Sequence, residues 1–146
     1  MPAERNASAN TGVKVLDSWI LVGWMKEEPA AAERMEQLWR MAAAGQIRLA
    51  LNVVNLGEVF YLTAKTRSLE AAEWAAVQLE SMPLEIRPAS NSLVLQAARL
   101  KACHSISYAD AFAVATAIRE RAPLVTGDPG IQALAARGIV ELEWVE

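Results

Sequence analysis

The stretch that decides the fold is SISYADAFAVATAIRERAPLVTGDPG, residues 105–130. Ser107, followed three residues later by Asp110, predicts the start of a helix, because a hydroxyl and an acidic side chain can satisfy free N–H groups of a first turn. The alanine-rich run that follows continues this helix, and the apolar PLVT at 123–126 is a short strand candidate. The turn GDP at 127–129 begins another helix, since proline suits the first helical position. This helix–strand–helix order predicts an α/β domain.

The same alternation extends outward in both directions. Further strands are predicted at Val13–Leu16, Ile47–Leu51, Leu84–Arg87 and Ile139–Val145, and further helices begin near Ser18, Pro29, Asn55, Leu69 and Asn91. Strands that alternate with helices form a mainly parallel sheet covered by helices. With 146 residues, the chain fits a single domain over residues 12–146, preceded by a flexible N-terminal arm over residues 1–11.

Four acidic residues lie where a predicted strand gives way to a helix or where a helix begins: Asp17, Glu58, Asp110 and Asp128. Sites in parallel sheets lie at the carboxyl ends of the strands, so the four side chains can meet at one edge. Each acid alone also has a structural explanation as a helix cap or as half of a capping box, such as Asn55 with Glu58. Together they predict a carboxylate pocket, and carboxylates gather mainly to hold hard divalent cations such as Mg²⁺.

The settings of these acids, in their order along the chain, resemble a PIN domain: VLDS at 15–18, NVVNLGE at 52–58, YADAFAVATA at 108–117 and LVTGDPG at 124–130. The resemblance extends from about Val13 to Val145 and is most specific in YADA, the alanine-rich helix and TGD. It is closest to the VapC-type toxins of toxin–antitoxin pairs. It implies a three-layer α/β/α sandwich with a mainly parallel central sheet.

The resemblance also implies an activity, a metal-dependent endoribonuclease that hydrolyses RNA phosphodiester bonds. The acidic positions of the family match Asp17, Glu58, Asp110 and Asp128, which are therefore expected to be the catalytic residues and the ligands of Mg²⁺ or Mn²⁺. We expect the first three around one ion, with Asp128 completing its coordination or helping a second ion.

The neighbours of the acids partly depart from the family pattern. Ser18, Asn55 and Thr126 are expected to orient the carboxylates or waters, with ordinary capping or strand-end roles as the alternative for the two hydroxyls. Asn55 replaces a frequent Ser or Thr, and Trp19 lies where a second small hydroxyl residue is frequent. Gly130 lies where many relatives carry a further acid, which weakens the case for a second ion.

The partners that the resemblance implies are an RNA substrate, a cognate antitoxin protein and a second copy of the chain in a homodimer. In VapC-like proteins the antitoxin tail binds an apolar groove, and such grooves are often rich in methionine and aromatic residues. A predicted helical hairpin contains candidates for this groove, namely Trp24, Met25, Met35, Trp39 and Met41.

Composition limits the other possibilities. The net charge of −3 excludes a strongly basic surface as a global property, although a local basic patch or a bound metal can still attract phosphate. Cys103 is the single cysteine, so no internal disulfide can form. No apolar run reaches the length of a membrane span and no secretory signal is visible, so we expect a cytoplasmic protein without membrane contact.

Two further functions stay open. A non-catalytic PIN-like module that binds RNA or a protein partner is favoured by Trp19 and Gly130, and metal titration would distinguish it from a nuclease. A phosphohydrolase with Asp17 as its nucleophile ranks last, because such enzymes commonly need a second acid where this chain has Trp19.

Overall fold

The central element of the fold is a parallel sheet. The structure is a computed structural model that describes residues 12–146, so the predicted arm over residues 1–11 lies outside the described residues. Five strands pair in the order β3-β2-β1-β4-β5, every pair being parallel. They are β1 Val13–Leu16, β2 Arg48–Asn52, β3 Leu84–Arg87, β4 Leu124–Thr126 and β5 Leu142–Trp144. The expected parallel sheet is confirmed.

Helices cover both faces of this sheet. Within the described residues they are α1 Ser18–Met25, α2 Pro29–Ala43, α3 Val53–Thr66, α4 Leu69–Glu80, α5 Asn91–Cys103, α6 Tyr108–Glu120 and α7 Pro129–Ala136. Neighbouring residues of a strand point to opposite faces. Val15 and Leu124 accordingly belong to a core cluster with α5, α6 and α7, whereas Leu16 and Val125 belong to a second cluster with α1 to α4. The expected α/β/α sandwich is therefore confirmed.

Helix α6 is the most deeply buried helix segment next to the sheet, since every residue from Ala111 to Ala117 is buried. Four of these seven residues are alanines, whose small side chains allow the helix backbone to approach the strands closely. The alanine-rich run thus brings the first turn of α6, with Asp110, to the edge of the sheet.

The start of α3 corrects one sequence prediction. The helix begins at Val53, and its N-cap is Asn52, whose Oδ1 accepts a hydrogen bond of 2.9 Å from Val54 N. Asn55 instead lies in the first turn and is fully buried. The predicted capping box of Asn55 with Glu58 is wrong, because the helix begins directly after the strand and the last strand residue, Asn52, caps it.

The C-terminal strand and the predicted groove also differ from expectation. β5 covers only Leu142–Trp144 rather than residues 139–145. Met35 and Trp39 are buried in the core between α2 and the sheet, so they cannot line a surface groove. Among residues 12–146, no helix is both long and apolar enough to cross a membrane.

Candidate metal centre

The two central strands present two of the predicted acids at the same edge of the sheet. Asp17 directly follows β1, and its backbone N donates to Val125 O on β4 at 3.2 Å. Thr126, the last residue of β4, donates its hydroxyl to Asp17 Oδ2 at 2.8 Å and accepts from Asp128 N at 3.0 Å. One buried hydroxyl therefore joins the two turns that carry Asp17 and Asp128.

Asp110 reaches the same edge from the first turn of α6. Ser107 caps this helix by accepting from Asp110 N at 3.0 Å, as the sequence predicts. The side chain of Asn55 donates to Ala109 O at 3.0 Å, which ties the start of α3 to the start of α6. As a result, carboxylate oxygens of Asp17, Asp110 and Asp128 all lie within 4.8 Å of one another.

Glu58 lies beside this group rather than within it. It is in the second turn of α3, and its Oε1 accepts a hydrogen bond from Ser18 Oγ at the start of α1. Its negative charge contributes to the raised pKa of Asp17 and of Asp110, so it is electrostatically part of the same pocket. The structure thus brings three predicted acids into one group, with the fourth adjacent.

Burial and mutual repulsion raise the pKa of two of these acids, Asp17 and Asp110. Asp17 is 1% exposed, and loss of hydration, followed by the charge of Asp110, raises its pKa to about 7 although the Thr126 hydrogen bond acts against the shift. Burial, followed by the charges of Asp128 and Glu58, raises the pKa of Asp110 to about 6. Like charges gathered in a desolvated site are costly unless a counter-charge is present.

An unpartnered oxygen shows where such a counter-charge fits. Asp17 Oδ1 is buried and has no hydrogen-bond partner among residues 12–146. Buried polar atoms are nearly always partnered, so such an exception calls for a ligand, an ion or a water. Hard divalent cations prefer carboxylate oxygens, and three carboxylates at this spacing fit such an ion.

The sequence profile of the PIN domain matches residues 14–137. The chain belongs to the PIN domain family. A search of curated proteins by sequence gives no match. The family assignment agrees with the fold and with the edge of the sheet at which the acids meet.

Several solved structures with the same fold are VapBC or VapC proteins. VapBC2 from Rickettsia felis, bound to a promoter DNA fragment, has a TM-score of 0.71 at 21% identity, over 92% of this chain and 99% of that one. VapC20 from Mycobacterium tuberculosis, described as a Sarcin-Ricin loop cleaving toxin, has a TM-score of 0.68 at 20% identity, over 89% of this chain and 98% of that one. DNA-bound VapBC from Salmonella typhimurium has a TM-score of 0.69 at 15% identity, over 89% of this chain and 96% of that one. At these identities the likeness is one of fold.

Two of the departures from the PIN pattern, Trp19 and Gly130, have distinct structural settings. Gly127 is buried under the indole of Trp19, and a Cβ at residue 127 would lie 2.4 Å from Trp19 Cη2 and 2.4 Å from Val145 O. Gly130 donates its N–H to Asp128 Oδ1 at 2.9 Å. Sequence reasoning treated Trp19 only as a departure and missed its packing on the turn before Asp128. The available signal was a large side chain, Trp19, together with a glycine, Gly127, but only the fold shows that the two residues are in contact.

Proposed function

We propose that this PIN domain is a Mg²⁺- or Mn²⁺-dependent endoribonuclease that hydrolyses RNA phosphodiester bonds, and that it is the toxin of a toxin–antitoxin pair. The observation that carries the proposal is the group of Asp17, Asp110 and Asp128, in which Asp17 is buried and has an unpartnered oxygen. A merely structural group of acids would have cationic or hydrogen-bonded partners for each oxygen.

Each side chain of the pocket has a separate task. Asp17, Asp110 and Asp128 would hold the ion, and a divalent cation there neutralises phosphate charge and lowers the pKa of a water molecule. Thr126 holds one oxygen of Asp17 and thereby leaves the other free for the ion. Ser18 fixes Glu58 through its hydroxyl, so that this carboxylate can accept a proton or add a ligand. Asn55 does not contact the ion in this proposal; its side chain donates to Ala109 O and so fixes the backbone next to Asp110.

The partners are proposed from the structural neighbours. VapC20 is described as cleaving the Sarcin-Ricin loop, and the VapBC structures contain toxin–antitoxin pairs. We extend to this chain an RNA substrate, a cognate antitoxin, a homodimer and a cytoplasmic location. The antitoxin would occupy a surface cavity between α1, α3 and α4, which is lined by Trp24, Met25 and Trp74 among others. Trp74 is 66% exposed, and burial of such an aromatic favours association.

The test is cleavage of a mixed pool of structured RNAs by purified protein with Mg²⁺, with Mn²⁺ or with EDTA. Asp110→Asn should abolish cleavage, whereas Glu73→Gln, which removes an exposed acid on α4, should not. Calorimetric titration with Mn²⁺ accompanies the assay. Absence of both metal binding and cleavage in the wild type would refute the proposal.

A non-catalytic PIN module is the second candidate, and Gly130 is the observation that favours it. Relatives often have another acid at position 130. Here Gly130 has no side chain to bind a metal ion, and its backbone N–H donates to Asp128 Oδ1. This function predicts RNA or protein binding that is indifferent to Mn²⁺ and to Asp110→Asn, measured in the same titration.

A further inference from the structure

A surface without acidic residues lies next to the carboxylates. Residues 88–109 contain no Asp or Glu, and neither do residues 129–140. The first segment includes α5 and the corner before α6, and the second includes α7. In a chain with a net charge of −3, these two segments carry only the positive charges of Arg99, Lys101 and Arg137.

His104 joins the two segments. Arg137 Nη1 lies 3.2 Å from His104 Nδ1, and neither Arg137 nor Lys101 forms an ion pair within residues 12–146. Lys101 is exposed and donates to Ile106 O at 2.8 Å, which holds its charge at the corner between α5 and α6. Lys101 and Arg137 therefore carry positive charges that no acidic side chain within residues 12–146 neutralises. Phosphate is a natural ligand for exposed guanidinium and ammonium groups.

The helix that carries Asp110 also presents an exposed aromatic ring. Tyr108, in the first turn of α6, is 45% exposed although it is only two residues before Asp110. The Tyr108 ring contacts the Phe112 ring edge to face, with 5.0 Å between the ring centroids, and this contact fixes its position. Cations that follow the backbone, combined with aromatic rings that stack on bases, are the common elements of proteins that bind single strands.

The connections of the chain place this surface against the pocket. α7 begins directly after Asp128 and has eight residues, so Arg137 lies roughly 12 Å along the helix from that acid. His104 precedes the Ser107 cap of α6 by three residues. A strand that passes over these residues therefore reaches Asp110 within a few nucleotides.

We propose that Lys101, His104, Tyr108 and Arg137 form a binding surface for single-stranded RNA. The cations contact the phosphates and a base stacks on Tyr108, which brings the next phosphate to Asp110. This inference rests on the proposed function and deepens it, since it explains how an acidic protein accepts a polyanion and from which side the strand enters.

Salt dependence tests the cations. A fluorescein-labelled single-stranded RNA of mixed sequence is titrated by anisotropy in EDTA, at several salt concentrations, with all proteins in the Asp110→Asn background. Lys101→Gln and Arg137→Gln should each lower the affinity and reduce the slope of log K against log salt by about 1. Arg40→Gln is the matched control, because Arg40 is exposed on α2, on the other side of the sheet.

A matched pair of tyrosines tests the stacking. Tyr108→Leu should weaken binding roughly 5- to 150-fold, the usual effect of removing one stacking aromatic. Tyr61, on α3, is 48% exposed against 45% for Tyr108, and Tyr61→Leu should leave the affinity unchanged. Equal effects of the two tyrosines, salt slopes that do not change, or absence of RNA binding by the parent would overturn the inference.

The two proposals fail in different ways. RNA binding through this surface, with a wild-type protein that neither binds Mn²⁺ nor cleaves RNA, would refute the nuclease and leave the surface standing. Metal-dependent cleavage by the wild type, with Lys101, Arg137 and Tyr108 variants whose RNA affinity and salt slope match those of the Asp110→Asn parent, would refute the surface and leave the nuclease standing.

Discussion

Replacement of Asp17 by asparagine should stabilise the metal-free protein far more at pH 8 than at pH 5. In the native protein burial raises the pKa of Asp17 to about 7, with the charge of Asp110 adding to the shift. An acid with a raised pKa binds its proton more tightly in the folded state than in the unfolded state. The stabilisation that this proton provides is complete below the ordinary pKa of 3.8 and is lost as the pH rises to about 7.

The size of the effect follows from the two pKa values. The difference between about 7 and 3.8 corresponds to about 4 kcal/mol at about 1.4 kcal/mol per pKa unit, all of it lost by pH 8. At pH 5 less than half of this stabilisation has been lost. Asparagine cannot ionise, so its advantage should grow by up to about 3 kcal/mol between the two pH values. The cost of burying the asparagine amide is the same at both pH values, so it cancels in the difference between them.

Urea unfolding in EDTA, followed by the fluorescence of the five tryptophans, measures this difference. Glu85→Gln is the control, because hydrogen bonds from Arg48 and then Arg87 lower the pKa of Glu85 to about 2. The stability that Glu85 contributes is present above its ordinary pKa and is lost only as the pH falls toward 2. The control should therefore lose the same stability at pH 5 and pH 8. An Asp17→Asn advantage that is equal at both pH values would refute the account of the buried carboxylate.

Three further outcomes follow from the same pocket. Asp110→Asn should abolish RNA cleavage yet raise the metal-free melting temperature, since it removes one of the repelling charges; a lower melting temperature by calorimetry would contradict a shared pocket. Gly127→Ala should lower the free energy of unfolding in urea by roughly 1–3 kcal/mol, because its methyl group would overlap the ring of Trp19. Gly57→Ala, within α3 and with no atom within 4 Å of its Cβ, should instead raise it by about 0.5–1 kcal/mol. Thr126→Val should weaken Mn²⁺ binding about 10- to 100-fold in calorimetry, because it removes the hydroxyl that joins the two carboxylate turns; an unchanged affinity would remove Thr126 from the site.

Local patterns in the sequence predicted most of the fold, because each strand and helix carries its own signal. The helix start at Ser107 and the turn at Asp128 were recognisable from capping chemistry, which depends on neighbours within three residues. The helix start at Asn55 was not, because Asn52 and Asn55 have equal intrinsic ability to cap. The strand runs up to Asn52, which pairs with Arg87 of β3, and the helix follows without a connecting loop, so Asn52 is the residue that caps it.

The site was predictable in outline but not in detail. Four acids at strand ends and helix starts predicted one pocket, yet only the structure separates the group of three from Glu58, which Ser18 holds to one side. The packing of Trp19 on Gly127 joins α1 to the turn after β4, more than 100 positions further along the chain, and leaves no local pattern. The same holds for Met35 and Trp39, which have the spacing of a surface stripe but are covered by the rest of the domain.

The hydrogen bond between Thr126 and Asp17 connects residues that are 109 positions apart, and this separation has a consequence for synthesis of the protein. β1 is made first, but its partner β4 is among the last strands to be made. Contacts between distant parts of a chain form late in folding, because a long loop must close before they can be made. A nascent chain that ends before Asp128 contains Asp17 and Glu58 without the turn that completes the pocket. The proposed metal centre can therefore form only after the chain has been synthesised past Asp128.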